Sequence, residues 1–138
     1  MIENTVESLG LTVYLDTDFE SALQQVTEAL KSEGFGVLTE IDVKATLKKK
    51  IDVDFRPYRI LGACNPPLAY RALSAAPQVG LLLPCNVTVS QMDDRRIEVS
   101  IIDPMLMMGA AYHPDLEPIA VEAKERLERV ANLLEGGR

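Results

Sequence analysis

The side chains with the most chemical capacity in this sequence are two thiols. Cys64 and Cys85 sit in mirrored contexts, Cys64-Asn65-Pro66 and Pro84-Cys85-Asn86. Cys64 directly precedes a predicted helix start, where amide dipoles stabilise a thiolate or a bound anion. Cys85 shares a period-two face with Leu83, Val87 and Val89, which predicts a desolvated, neutral thiol. Unequal reactivity is therefore expected, with Cys64 the more reactive. A soft cation would suit both sulfurs, helped by Met105, Met107 or Met108. The spacing of the two cysteines matches no metal-ligand motif, however, and methionines in an apolar segment are ordinarily core filler. No metal or other cofactor is expected.

Other catalytic constellations are missing. The sole histidine, His113, lies in the turn Tyr112-His113-Pro114, and a single histidine before a helix is ordinarily structural. Gly34-Phe35-Gly36 runs on into Val37-Leu38-Thr39 rather than opening a helix, so it is no phosphate-cradling loop. No serine occupies a nucleophile elbow. Acidic residues are numerous but fall on predicted helix faces and in turns. The pattern leans away from an enzyme.

Charge is unevenly distributed. The chain carries 14 basic and 21 acidic residues, for a net charge of −7. Between Lys44 and Arg71 there are seven basic residues and two acidic ones, so that segment is +5 and the remainder −12. Such a patch, which includes Lys48, can meet an anion or an acidic partner, or form the solvated face of a short helix. The overall sign argues against nucleic acid, whose phosphates supply most of the affinity.

The elements that must position these residues follow from periodicity. Leu9, Leu11, Val13 and Leu15 alternate with Gly10, Thr12, Tyr14 and Asp16, which reads as a half-buried strand. Thr17 and Glu20 have capping-box spacing ahead of a helix with Phe19, Leu23, Val26 and Leu30 on one face and Gly34 at its end. A second strand spans 35–41, with Phe35, Val37 and Ile41 on one side. Asp42 caps a short helix repeating Val43, Leu47 and Ile51, on whose far side Lys44 and Lys48 repel unless an anion lies between them. A third strand, 58–64, leads to Asn65 as N-cap with proline at the first helical positions, and that helix stops at Pro77. Strands are predicted over 81–91 and 95–102, joined by a turn at Met92-Asp93-Asp94. A terminal helix, 116–134, carries the stripe Leu116, Ile119, Ala123, Leu127, Val130 and Leu134, with Glu122–Arg126 and Glu125–Arg129 as i,i+4 pairs. The fold class is α+β: a two-layer sandwich with a mostly antiparallel five-stranded sheet and helices on one face, in the order β-α-β-(α)-β-(α)-β-β-α.

With 47% apolar and 25% charged residues in 138, one domain over 1–138 is expected to bury roughly two-thirds of its surface without disulfides. The N-terminal residues lack a basic region followed by an apolar stretch. No apolar run approaches the roughly 20 residues of a membrane span. A cytoplasmic protein with reduced thiols and no membrane partner is expected.

The segments Ile60-Leu61-Gly62-Ala63-Cys64-Asn65-Pro66-Pro67-Leu68-Ala69-Tyr70-Arg71-Ala72-Leu73 and Gly80-Leu81-Leu82-Leu83-Pro84-Cys85-Asn86-Val87 resemble the family called domain of unknown function 302. The stretch 40–48 and the closing Asp103-Pro104 fit the same pattern. The resemblance implies a TATA-binding-protein-like β-α-β-β-β-β-α arrangement and a homodimer, and it marks Cys64, Asn65, Cys85 and Asn86 as motif positions. It brings no established activity, and the architecture alone does not imply DNA binding. The expected function is non-enzymatic binding of a small molecule or protein, with Cys64, Asn65, Cys85, Asn86 and Lys48 as candidate ligand-binding residues. The alternatives are a sulfur, redox or soft-metal carrier using Cys64 and Cys85, and an anion or nucleic-acid binder using the Lys44–Arg71 segment.

Overall fold

A computed structural model of the chain describes residues 9–110 and 113–136. Tyr112 and the side chain of Met107, one of the candidate soft ligands, lie outside the described residues. Five strands, β1 (Gly10–Asp16), β2 (Gly36–Asp42), β3 (Tyr58–Cys64), β4 (Cys85–Gln91) and β5 (Arg96–Ile102), form one sheet in the order β1-β5-β4-β3-β2. Every neighbouring pair is antiparallel.

Alternation decides which face is covered. Val13, Leu15, Leu61, Val87, Val89, Ile97, Val99 and Ile101 point to one side, and each is at most 4% exposed. On that side lie α1 (Phe19–Ser32) and α5 (Glu117–Gly136). Helix α1 contributes Leu23, Val26 and Leu30, and α5 contributes Leu127, Val130 and Leu134. Each such side chain contributes about 1.5–3 kcal/mol through burial, so the two stripes dominate the stability of this layer. The opposite face carries Thr12, Tyr14, Tyr58, Thr88, Glu98 and Ser100. It opens onto a shallow concavity of about 710 Å³.

Several boundaries are set by identifiable chemistry. Asp18, rather than Thr17, caps α1: its carboxylate accepts from the Ser21 amide at 2.8 Å. The helix ends with the Phe35 amide donating to the Leu30 carbonyl and the Gly34 amide to that of Lys31. This closure needs a left-handed residue, which Gly34 supplies at φ +86°.

The second strand departs from simple alternation. Val37 faces Ala63 and Thr39 faces Gly62, so Leu38 is an unpaired bulge residue. The extra residue reverses the phase of the rest of the strand. Ile41 is therefore turned away from the Phe35/Val37 side, pairs with Ile60 and is 49% exposed. The predicted strand from Leu81 is also shorter than expected. After α3 (Pro66–Ala75), residues Pro77–Leu82 form a 3-10 helix anchored by buried Val79, and pairing begins at Cys85. Pro84 has no amide to give to a ladder.

Helix α2 (Val43–Ile51) is capped by Asp42, as its sequence suggests, but buries none of its residues. The expected repulsion between Lys44 and Lys48 is relieved within the chain. Lys44 donates to the Phe55 carbonyl at 2.8 Å, and Lys48 pairs with Asp52 and Asp54 at 3.0 and 3.4 Å. Met105 and Met108 pack against the α3/α5 layer, Met108 from the short helix α4 (Leu106–Ala110). No helix among the described residues is long and apolar enough to cross a membrane.

Candidate functional site

The core is divided, and the candidate site lies at the division. The main cluster joins the sheet to α1 and α5. A second cluster joins Leu68 and Ala72 of α3, Val79 of the 3-10 helix, and Leu116, Ile119, Ala120 and Ala123 at the start of α5. Between them, at the end of β3 and the start of β4, is a cavity of about 290 Å³. Phe35 and Ala63 wall it from the main cluster, and Leu68, Ala72, Ile119 and Ala123 from the second. The bulge residue Leu38 also lines it and is 67% exposed, so it forms part of the mouth.

Both thiols line this cavity. Cys85 lies directly across from Ala63 in the β3/β4 ladder, which places it beside Cys64, the last residue of β3. The Cys85 thiol is pushed up to about 11, chiefly by burial and secondly by the neighbouring Cys64. It is a neutral thiol at physiological pH, as its strand phase suggests. The two are free cysteines and both are half-buried.

Asn65 holds the frame of the site. Its side-chain oxygen accepts from the Leu68 amide at 3.2 Å, capping α3 as its sequence position predicts. Its amide nitrogen donates to the Glu33 carbonyl at the end of α1, at 3.4 Å. That second bond is invisible in the sequence. It ties the α1–β2 turn to the start of α3, and Gly34 permits the approach: a Cβ there would lie 2.8 Å from the Asn65 amide nitrogen. Arg126 of α5 donates to the same carbonyl at 3.2 Å.

A further strap ties α3 to α5. Arg71 of α3 reaches Glu122 of α5 at 3.2 Å, and Arg126 reaches the same carboxylate at 3.1 Å. These guanidinium bonds, that of Arg126 first, hold the Glu122 carboxyl below its ordinary range. Being exposed to solvent and its ions, these pairs are screened and add little to stability. The expected Glu125–Arg129 pair is replaced: Arg129 turns to Glu33 at 3.0 Å.

The five candidate residues are thus divided. Cys64, Asn65 and Cys85 meet at the cavity. Asn86 is one strand position further on, faces the other side of the sheet and lines the open concavity. Lys48 lies on α2, in ion pairs of its own. His113 is a turn residue, its Nδ1 accepting from the Asp115 amide at 3.1 Å. Leu38 and Leu73, at the cavity, were not expected from sequence. Only the bulge brings Leu38 there, and no residue type announces it. Gly62 was also unmarked: a Cβ there would meet Thr39 Oγ1 and Pro84 Cγ at 2.2 and 2.8 Å, so only glycine lets these two close over the strand beside the cavity. Among the described residues no group of three or more His, Cys, Asp or Glu could hold a metal ion.

An antiparallel five-stranded sheet with helices layered on one face and an apolar, thiol-lined cavity at one end defines this chain as an α+β two-layer protein. It belongs to the family Domain of unknown function DUF302, whose model matches residues 11–134. It is similar to the crystal structure of an uncharacterized conserved DUF302 protein from Bacillus stearothermophilus, with 32% identity and a TM-score of 0.82. The likeness covers 91% of this chain and 98% of that one. No curated protein matches the chain.

Proposed function

We propose that this protein binds a small, largely apolar ligand in the cavity between α3, α5 and the β3–β4 strand ends. The observation that carries this reading is the cavity wall: aliphatic and aromatic side chains, with Thr39, Asn65 and the two thiols as its polar exceptions. Small-molecule sites are characteristically apolar concavities with a few polar groups that fix orientation. Of the lining groups, the Cys85 thiol is held protonated by its surroundings, and the sole histidine does not line the cavity. The test is titration with a hydrophobic fluorescent dye, followed by the same titration on Ala69→Trp, which fills the cavity from α3. Saturable binding weakened by about tenfold or more in the variant, equal to a loss of about 1.4 kcal/mol, supports the reading. Equal binding to a folded Ala69→Trp protein overturns it.

A second reading has its own observation: the fold brings both cysteines, 21 positions apart in sequence, to one cavity. In this reading Cys64 is the reactive thiol of a carrier and Cys85 its protonated neighbour. Peptide-resolved alkylation of the native protein separates the two readings. Labelling of Cys64 well ahead of Cys85 at pH 7 favours a thiol carrier. Equal, slow labelling of both leaves the apolar-ligand reading alone. The basic segment gives an anion site no comparable support, since Lys44 and Lys48 are already engaged within the chain.

A further inference from the structure

The apolar surface of the cavity does not stop at its walls. Two of the lining leucines are exposed at the mouth, Leu38 at 67% and Leu73 at 40%. Tyr70 lies one helical turn before Leu73 on α3, on the same side of the helix, and is 74% exposed. Gly80 of the 3-10 helix lies against Leu73, since a Cβ there would be 3.5 Å from Leu73 Cδ2, and the adjoining Leu81 is 85% exposed. Single exposed leucines are ordinary on a protein surface. Here the exposed apolar side chains adjoin the opening of an apolar cavity, the arrangement that marks a binding groove.

On the reading of the cavity as an apolar-ligand site, on which this rests, we propose that the ligand is a single-chain amphiphile. Its alkyl tail enters the cavity, the rest of the chain crosses the rim of Leu38, Leu73, Tyr70 and Leu81, and its polar head stays in water.

Volume sets the length of the tail. A cavity of about 150 Å³ lined by aliphatic and aromatic side chains takes up benzene, or roughly 25 Å³ per carbon. At that ratio the volume of about 290 Å³ holds roughly a dozen carbons. Charge sets the direction of entry. Among the described residues that line the cavity none is charged, and an unpaired charge is too costly to place among apolar walls. An ionic or strongly polar head therefore remains at the mouth. Polar groups in the wall give little orientation to a ligand. Asn65 is already bonded to the Leu68 amide and the Glu33 carbonyl.

The rim decides between a chain and a compact ligand. A compact molecule of the cavity's volume would leave Tyr70 and Leu81 in water, whereas a chain longer than the cavity covers them. A few side chains in a row also fit a chain better than a protein partner, which takes roughly 20–30 residues from each side of a stable interface.

Calorimetric titration of the full chain with octanoate, decanoate, dodecanoate and tetradecanoate, each below its micelle concentration, tests this. Adamantane-1-carboxylate serves as a compact probe with the same head. Affinity should rise about tenfold from octanoate to decanoate as the cavity fills, and less steeply beyond dodecanoate, where the chain meets the half-exposed rim. Tetradecanoate should bind about tenfold or more tighter than the adamantane probe. Tyr70→Gln combined with Leu81→Gln changes the rim without touching the cavity lining. It should weaken tetradecanoate by about fivefold or more and octanoate by less than about twofold. Thermal melts check that these exposed substitutions leave the fold intact. An adamantane probe as tight as tetradecanoate, with both weakened by Ala69→Trp, overturns the chain and leaves the apolar cavity standing. A rim variant that binds tetradecanoate as well as the parent does the same. Alkanoate binding indifferent to Ala69→Trp overturns both readings. A dimer that the rim variant dissociates also overturns the proposal, because it makes the rim a contact between copies.

Discussion

Helices α2 and α3 are nearly the same length, nine and ten residues, and each follows a strand and an Asx N-cap. Asp42 accepts from Ala45, and Asn65 from Leu68, in the same i,i+3 geometry. Each helix carries apolar residues at i,i+4. Yet Leu68 and Ala72 of α3 are 5% and 2% exposed, while α2 buries nothing. The difference lies opposite the helices. Helix α3 lies against α5, and the Arg71–Glu122 pair straps the two together. Helix α2 lies chiefly against the strands it connects, and its Lys44 reaches the loop after it. Local sequence is enough to start a helix; a partner surface decides whether its apolar stripe becomes core.

Substitutions that divide buried from unpartnered positions sharpen this contrast. Leu127, 1% exposed at the centre of the α5 stripe, should show the largest effect: Leu127→Ala is expected to cost about 2–5 kcal/mol in denaturant unfolding. A loss under about 1 kcal/mol would mean that α5 does not share a well-packed layer with α1 and the sheet.

Asn65 comes next. From its sequence position alone, Asn65→Asp would be nearly neutral, because aspartate is an equally good cap. In the structure the side-chain nitrogen donates to the Glu33 carbonyl, and the residue is 8% exposed. A carboxylate there would face a carbonyl oxygen in a desolvated place. Asn65→Asp is therefore expected to cost about 1–3 kcal/mol at neutral pH, and acidification should narrow the gap to wild type. A neutral result would show that only the cap matters.

A pH effect arises from Cys85. Its thiol is raised from 9.0 to about 11 by burial and by Cys64, so folding favours the protonated form. The resulting stabilisation is fully present below the unfolded value and is lost as pH rises through about 11. Unfolding curves taken from pH 8 upward should show this alkaline decline, and Cys85→Ala should remove it. A decline identical in the variant would assign it to other groups.

The smallest effect is expected on α2. Lys48 makes two exposed ion pairs, and Lys48→Gln should change stability by less than about 0.5 kcal/mol. A loss comparable with that at Asn65 would erase the contrast between the two ends.

Alternation along β1, β4 and β5 and the stripe on α5 depend only on each residue's own hydropathy and a fixed period. They could therefore be read without neighbours, as could the Asp42 and Asn65 caps, whose partners lie three residues away. What depended on distant segments could not. The bulge that exposes Leu38 and turns Ile41 outward reflects how β2 and β3 register. The second bond of Asn65 spans 32 positions, and the Arg71–Glu122 strap spans 51.

For the site, the sequence marked Cys64, Asn65 and Cys85 by residue type and local motif, but grouped Asn86 and Lys48 with them. Strand phase sends Asn86 to the other face, and α2 carries Lys48 to the other end of β3. Residue type and local period are written in the chain one residue at a time. Whether two thiols 21 positions apart share a cavity, and whether an apolar stripe finds a surface to cover it, are properties of pairs, and only the packing of α3, α5 and the strand ends decided them.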